Sequence, residues 1–219
     1  MKGENNLYQG IYKVRENTAL TDTVYKMVLE GDTSALTAPG QFINITVEGC
    51  YLKRPISVFD WDENTISLIY KVVGEGTEKM SHWSVGYECD VLVGLGNGYS
   101  LDKCGDKPLL IGGGVGCAIA MPIAEALHEM GARVTSIIGF RNKDAMILKE
   151  DFEKAGCNVI VATDDGSFGH HGLVTECLDG VEAEAIFAPS GALAMSILQL
   201  LKLTGKQPEY SLSGVYALI

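Results

Sequence analysis

The sequence has no Cys-x-x-Cys pair, no long apolar run and no surplus of positive charge, and each absence removes a class of protein. Its cysteines, Cys50, Cys89, Cys104, Cys117, Cys157 and Cys177, stand singly, so their spacing spells neither a zinc site nor an iron–sulfur ligand run. They read as reduced thiols packed like small apolar groups, and no metal site is expected. Histidines are few as well. His170 and His171 are adjacent, and a solvated loop pair is the expectation for them. No stretch approaches the roughly 20 apolar residues of a membrane span. The N-terminal "MKGENNLYQG" lacks the apolar middle of a secretion signal. A cytoplasmic protein with no membrane partner is therefore expected. With 28 acidic against 17 basic residues the formal net charge is −11, which argues against nucleic acid, whose phosphates are held by clustered Lys and Arg.

What is present is apolar material enough for one large or two small domains, 47% of 219 residues. From about Gly10 to Leu101 it comes in short runs, "YKVRE", "VYKMVLEG", "QFINITVEG", "PISVFD", "TISLIYKVVG" and "DVLVGLG", with Gly, Pro, Asp and Asn between them. That is the pattern of short antiparallel strands, a small β-barrel or sandwich. From Pro108 the rhythm lengthens to strand and helix in alternation. "PLLIGGG" leads to "AMPIAEALHEMG", "RVTSIIGF" to "ILKEDFEKAG", "NVIVATDDG" to "GLVTECLDG", and "AEAIFAPSG" to "ALAMSILQLLKLTG". Four such units predict a parallel sheet covered by helices. The boundary is expected in the polar stretch between Leu101 and Lys107. Gly131 and Gly156 stand where left-handed C-terminal helix caps belong. Pro122 asks for a helix that starts close to Met121, because proline deeper inside costs about 3 kcal/mol.

Two stretches carry more than strands require. "IGGGVGCA", residues 111 to 118, joins an apolar strand to a helix, where glycines let a backbone approach a pyrophosphate and the helix start favours an anion. Its spacing is not GxGxxG, and a tight strand-to-helix turn explains it equally well on its own. "KRPISV" and "YKVVGEGT" place a cation, a proline and a serine on one strand and glycines with a threonine after the next.

Taken in order, "PGQFINI", "LKRPISV", "IYKVVGEGT", "GLGNGY", "IGGGVG", "GFRNKD" and "TDDGSFGHHGLVT" resemble the ferredoxin reductase-like flavoproteins, and among them the electron-transfer subunits of dihydroorotate dehydrogenase. The likeness runs over about residues 10 to 190. It implies an FAD-binding β-barrel domain over residues 1–103 and an NAD-binding α/β domain over 104–219. In the first, the resemblance gives the Arg54-Pro55-Ile56-Ser57 strand to FAD, with Arg54 on the flavin pyrophosphate and Ser57 beneath the isoalloxazine. Ile56 replaces the aromatic residue that many relatives stack on the ring, so aliphatic packing is expected there. Ile69, Tyr70 and Lys71 match the next flavin-contacting strip, and Gly76 and Thr77 are expected to offer backbone and hydroxyl donors to the phosphates. In the second domain Gly112, Gly113, Gly114 and Gly116 are given to the NAD pyrophosphate, and Asp164 and Asp165 to the ribose. A carboxylate there accepts from ribose hydroxyls and repels a 2′-phosphate, which favours NADH; Arg141 and Lys143 pull mildly the other way.

The activity implied is acceptance of hydride from NADH and passage of electrons to a catalytic flavoprotein subunit in a hetero-oligomer, with no side-chain acid or base. The family holds a [2Fe-2S] cluster on four cysteines of a C-terminal segment. Here no cysteine follows Cys177, so no cluster is expected on this chain. Pro189, Ser190 and Gly191 stand where relatives have Cys-Gly-Pro, Met195 is displaced by a residue, and Cys117 and Ala118 stand where relatives often carry proline. A free-standing NADH-dependent flavin reductase and a non-catalytic flavin-binding subunit are the alternatives. Tyr99 is expected near the flavin or inside the barrel, and the tail "VYALI" as a buried strand, an interface edge or a ring-covering segment bearing Tyr216, the buried strand being the plainest of the three.

Overall fold

A computed structural model describes residues 7–102 and 104–188. The chain forms two compact units that divide between Gly98 and Tyr99. Each of the six apolar runs in the first unit becomes a strand: β1 (Tyr8–Ala19), β2 (Val24–Glu30), β3 (Phe42–Ile45), β4 (Arg54–Trp61), β5 (Thr65–Lys71) and β6 (Glu88–Leu95). They close an antiparallel barrel in the order β1-β2-β5-β4-β3-β6. Alternation sends Tyr12, Val14, Met27, Leu29, Ile43, Ile45, Ile66 and Leu68 inward, all fully buried. Each aliphatic side chain so buried contributes about 1.5–3 kcal/mol. The β4–β5 turn is tied by Asp62, whose carboxylate accepts from the amides of Asn64 (2.9 Å) and Thr65 (2.7 Å). After β5 the chain turns at Gly74 into helix α1 (Glu75–Ser81).

The second unit carries β7 (Pro108–Gly113), α2 (Gly116–Glu129), β8 (Thr135–Phe140), α3 (Lys149–Lys154), β9 (Asn158–Thr163), β10 (His170–His171) and β11 (Ala185–Phe187). The sheet is parallel, in the order β10-β9-β8-β7-β11. Three expectations are corrected here. Helix α2 begins at Gly116, directly at the glycines, with Pro122 inside it. The helix buries Cys117, Ala118, Ala120, Met121, Ile123, Ala124 and Leu127. That burial outweighs the lost hydrogen bond and steric cost of one proline. "GLVTECLDG" forms a 3-10 turn over Val174–Leu178 instead of an α-helix. Glycines bound it closely on both sides, and Val174 seats its Cγ1 2.3 Å from where a Cβ on Gly139 would lie. His170 and His171 extend the sheet edge as a short strand beside Ala162 and Thr163, with His170 Nε2 3.0 Å from Glu176 Oε2. The helix expected over residues 192–205, the Pro189-Ser190-Gly191 turn, Met195 and the tail lie outside the described residues. Among the described residues no helix is long and apolar enough to cross a membrane.

Candidate functional site

The barrel is not hydrogen-bonded evenly around its circumference. Strands β4 and β5 pair only at Val58–Leu68, Asp60–Ser67 and Trp61–Ile66. Their other halves, Arg54–Ser57 and Ile69–Lys71, pair outward instead, β4 with Phe42–Ile45 and β5 with Val24–Lys26. Among the described residues a seam is thus left, along which the facing edges of the two strands do not pair with each other. Every flavin-strand residue expected from the resemblance lies on that seam. Nothing in hydropathy marks it; the bulge between Val58 and Asp60, which ends the pairing, has no sequence signature.

Side-chain directions refine the assignment. Ile56 and Tyr70 point into the barrel core, so the ring packing expected of Ile56 is not available to its side chain; its backbone is what faces the seam. Tyr70 is stacked on Tyr25 at 5.9 Å and its hydroxyl donates to Asn17 Oδ1 at 3.2 Å. Pro55, Ser57, Ile69 and Lys71 alternate with these and take the outer face, with Ser57 and Lys71 half-buried.

At the head of the seam Arg54 and Gly76 meet. A Cβ on Gly76 would stand 2.0 Å from Arg54 Nε and 2.7 Å from its Cζ, so the guanidinium occupies the space that only glycine leaves. Arg54 Nη1 donates to the carbonyl of Leu52, which fixes the fork. Thr77 is buried, and its hydroxyl serves the turn: Oγ1 accepts from the Val73 amide at 2.9 Å and donates to Gly74 O at 3.0 Å. The hydroxyl proton is therefore spent on the turn. The first helical bond runs from Glu78 N–H to Gly74 O at 2.9 Å, so the preceding amides of α1 lack helical acceptors. Glu75 and Glu78 stand in the first turn beside the guanidinium. The carboxyl of Glu75 is held below its usual range, first by the Lys79 hydrogen bond and charge and further by Arg54.

In the second unit the glycine turn sits after β7, whose neighbours are β8 on one side and β11 on the other. The chain goes from β7 to β8 and β9 before returning to β11, which makes the C-terminal end of β7 a topological switch point, where open α/β sheets bind ligands. Gly112 has an internal reason to be glycine, since a Cβ there would approach Cys117 Cα to 3.1 Å. Gly114 has another, a φ of +53°. Gly113 and Gly116 have neither: among the described residues, chain neighbours and the helix's own backbone aside, nothing lies within 4 Å of a Cβ on either one. Those two bare positions leave a cradle that side chains would fill, at the start of a helix with no side-chain cap and no acidic residue in its first turn. Cys117, just beyond, is fully buried and its thiol is pushed up to about 12 by that burial.

Asp164 and Asp165 emerge from β9 on the same edge of the sheet, next to Arg141 through the Asp165 N–H to Arg141 O bond of 3.3 Å. Their roles separate. Asp165 Oδ1 accepts from the Ser167 amide at 2.9 Å, and this Ser167 bonding holds its carboxyl below the usual range. Asp164 is exposed, and among the described residues its carboxylate has no hydrogen-bond or ion-pair partner. Thr163 Oγ1 donates to Phe168 O at 2.7 Å and folds the loop back under both. Tyr99 lies edge-on to Phe187 at 6.1 Å and belongs to the second unit, not to the interior of the barrel.

No protein-family model matches the chain. It is 37% identical over 178 residues to the dihydroorotate dehydrogenase B (NAD(+)) electron transfer subunit of Shouchella clausii, covering 78% of this chain and 68% of that one. To the Streptococcus mutans subunit of the same description it is 38% identical over 174 residues, 75% and 67% of the two chains. Among solved structures, an NADH-dependent reduced ferredoxin-NADP oxidoreductase described for flavin-based electron bifurcation superposes with a TM-score of 0.77 at 28% identity, over 89% of this chain and 72% of that one. An Amycolatopsis cytochrome P450 reductase shares the fold at a TM-score of 0.82 and 18% identity, over 95% and 70%. Barrel, parallel sheet and identity over two thirds of the relatives' length agree, and the chain belongs to the family of dihydroorotate dehydrogenase B electron transfer subunits.

Proposed function

We propose that this chain is an FAD-containing electron-transfer subunit, an oxidoreductase component that takes hydride from NADH and supplies electrons to a catalytic flavoprotein subunit of the dihydroorotate dehydrogenase type. Residues 1–103 would hold FAD and residues 104–219 NADH, in the cytoplasm. The observation that carries this reading is the open β4–β5 seam, headed by the Arg54 guanidinium over Gly76. Bound FAD supplies the chemistry, accepting two electrons with a hydride and releasing them singly. The chain's own residues bind and orient. Arg54 and the α1 amides hold the diphosphate, the strand edges at Arg54–Ser57 and Ile69–Lys71 offer backbone donors and acceptors to the ring, and the Ser57 hydroxyl donates beside it. Gly113 and Gly116 let the α2 amides reach the dinucleotide pyrophosphate, and Asp164 accepts from the adenosine ribose.

Anaerobic addition of NADH to the FAD-loaded protein tests the reading. It is expected to bleach the flavin bands, and addition of the catalytic subunit with orotate is expected to restore them. A yellow protein that NADH leaves unbleached would sink it.

Two substitutions probe the nucleotide half. Gly116→Ala places a methyl group in the open cradle, so thermal stability is expected to hold or rise by up to about 1 kcal/mol from helix propensity. NADH affinity, read from the concentration dependence of bleaching, is expected to fall roughly tenfold. Asp164→Asn removes the repelling charge while keeping an acceptor. The preference for NADH over NADPH is expected to shrink about tenfold, with Asp165→Asn acting chiefly on loop stability.

A further inference from the structure

Resting on the flavin reading above, we propose that Asn17 is a positioning residue that sets the phosphate-binding turn from inside the barrel. Its place depends on an irregularity. Strand β1 pairs Val14 with Leu29 but Glu16 with Val28 and Asn17 with Met27, so one residue is inserted between Val14 and Glu16. Directly opposed residues share a face, and Leu29 and Met27 both point into the core. The inserted residue therefore turns Asn17 to the inner side, where strict alternation from Val14 would have sent it out.

There its amide group joins two segments. Nδ2 donates to the carbonyls of Met80 at 2.9 Å and Trp83 at 3.0 Å, with a longer contact to Ser81 O at 3.3 Å. Met80 O also accepts from the Trp83 amide at 3.0 Å, so Asn17 adds a second donor there, and Trp83 O lies just beyond the end of α1. Oδ1 accepts from the Tyr70 hydroxyl at 3.2 Å, on the strand that enters the turn. This orientation of the amide gives its two N–H groups to Met80 O and Trp83 O and its oxygen to the Tyr70 hydroxyl, whereas the reverse would set an oxygen against carbonyl oxygens. Between the two anchors the chain runs from Tyr70 to Trp83, and Gly74, Gly76 and Thr77 lie on it. Thr77 fastens the near end of α1 to Val73 and Gly74, and Asn17 fastens the far end to the barrel. Gly76 is thereby held beneath the Arg54 guanidinium. Asn17 touches no phosphate; it acts through the register of α1.

The test uses the full chain with Asn17→Ala and Asn17→Asp, and Tyr70→Phe as the milder change that keeps the helix anchor. FAD and riboflavin titrations give affinity and stoichiometry separately, and amide hydrogen exchange is followed over residues 74–83 against strands β1, β2 and β6. Both Asn17 variants are expected to bind FAD about tenfold more weakly, with riboflavin affinity unchanged within about twofold. Exchange in 74–83 is expected to rise about tenfold while the strands keep their protection. Tyr70→Phe is expected to fall between these and the wild type. Reduced stoichiometry alone reports misfolded protein and, with wild-type affinity in the folded fraction, overturns the proposal. So does unchanged exchange in 74–83, or equal losses for FAD and riboflavin. If the wild-type protein binds no FAD, the functional reading fails and Asn17 loses its flavin role; raised exchange with intact wild-type FAD binding and a weakened variant supports both.

Discussion

Replacing Arg54 by glutamine is expected to weaken FAD binding about a hundredfold while leaving riboflavin binding nearly unchanged. The guanidinium enters β4 half-exposed, anchored by one N–H on Leu52 O, with its fork laid over Gly76. Among the described residues its remaining N–H groups have no hydrogen-bond partner, which leaves them to make charge-assisted bonds to a diphosphate, and bonds to charged groups are worth about 1.5–3 kcal/mol each. Losing two at the lower end gives roughly 3 kcal/mol, a factor of about a hundred. Lysine keeps the charge and loses the planar fork, so Arg54→Lys is expected to recover about half of that loss on a logarithmic scale. Thermal stability should change little, because the side chain is no part of the buried core. Calorimetric titration of both flavins checks all of this together.

The second large effect is expected from Gly76→Ala, and it separates function from stability. Gly76 lies in the first turn of α1, where alanine is the better helix former by about 1 kcal/mol. By propensity the substitution should stabilise. Yet its Cβ would stand 2.0 Å from Arg54 Nε, and the guanidinium has to leave its seat. FAD affinity is expected to drop at least tenfold with the melting temperature of the flavin-free protein equal or higher. In the double variant with Arg54→Gln the two losses should not add, since both remove the same arrangement. Fluorescence titration with FAD together with thermal unfolding of the flavin-free protein checks it; a parallel loss of affinity and stability would mean that Gly76 serves packing alone.

Much of this was legible from the residues. Alternating apolar runs separated by turn formers marked all six barrel strands, and the shift to longer units at Pro108 marked the parallel sheet. The glycines after β7 were visible, although only the structure divides them into Gly112 and Gly114, which the fold itself needs, and Gly113 and Gly116, which it does not. What the sequence hid was decided by pairing between distant strands. Nothing in the sequence singles out Asn17, which the inserted residue in β1 turns inward, and Ile56 reads as a ring neighbour until the β3–β4 register sends it to the core. Pro122 misleads because propensity is local, and the burial of one face of α2 is not. Asp164 and Asp165 are equivalent in one dimension, and the Ser167 amide alone distinguishes them.

The central claim is that the barrel grips a diphosphate, with the cation of β4 seated over the bare backbone of α1. Competition between FAD and riboflavin for the purified wild-type protein measures that grip directly. The account predicts one FAD per chain, bound at least a hundredfold more tightly than riboflavin, with the advantage largely abolished in Arg54→Gln. Equal affinity for the two flavins, or an FAD advantage that survives the loss of Arg54, would contradict it.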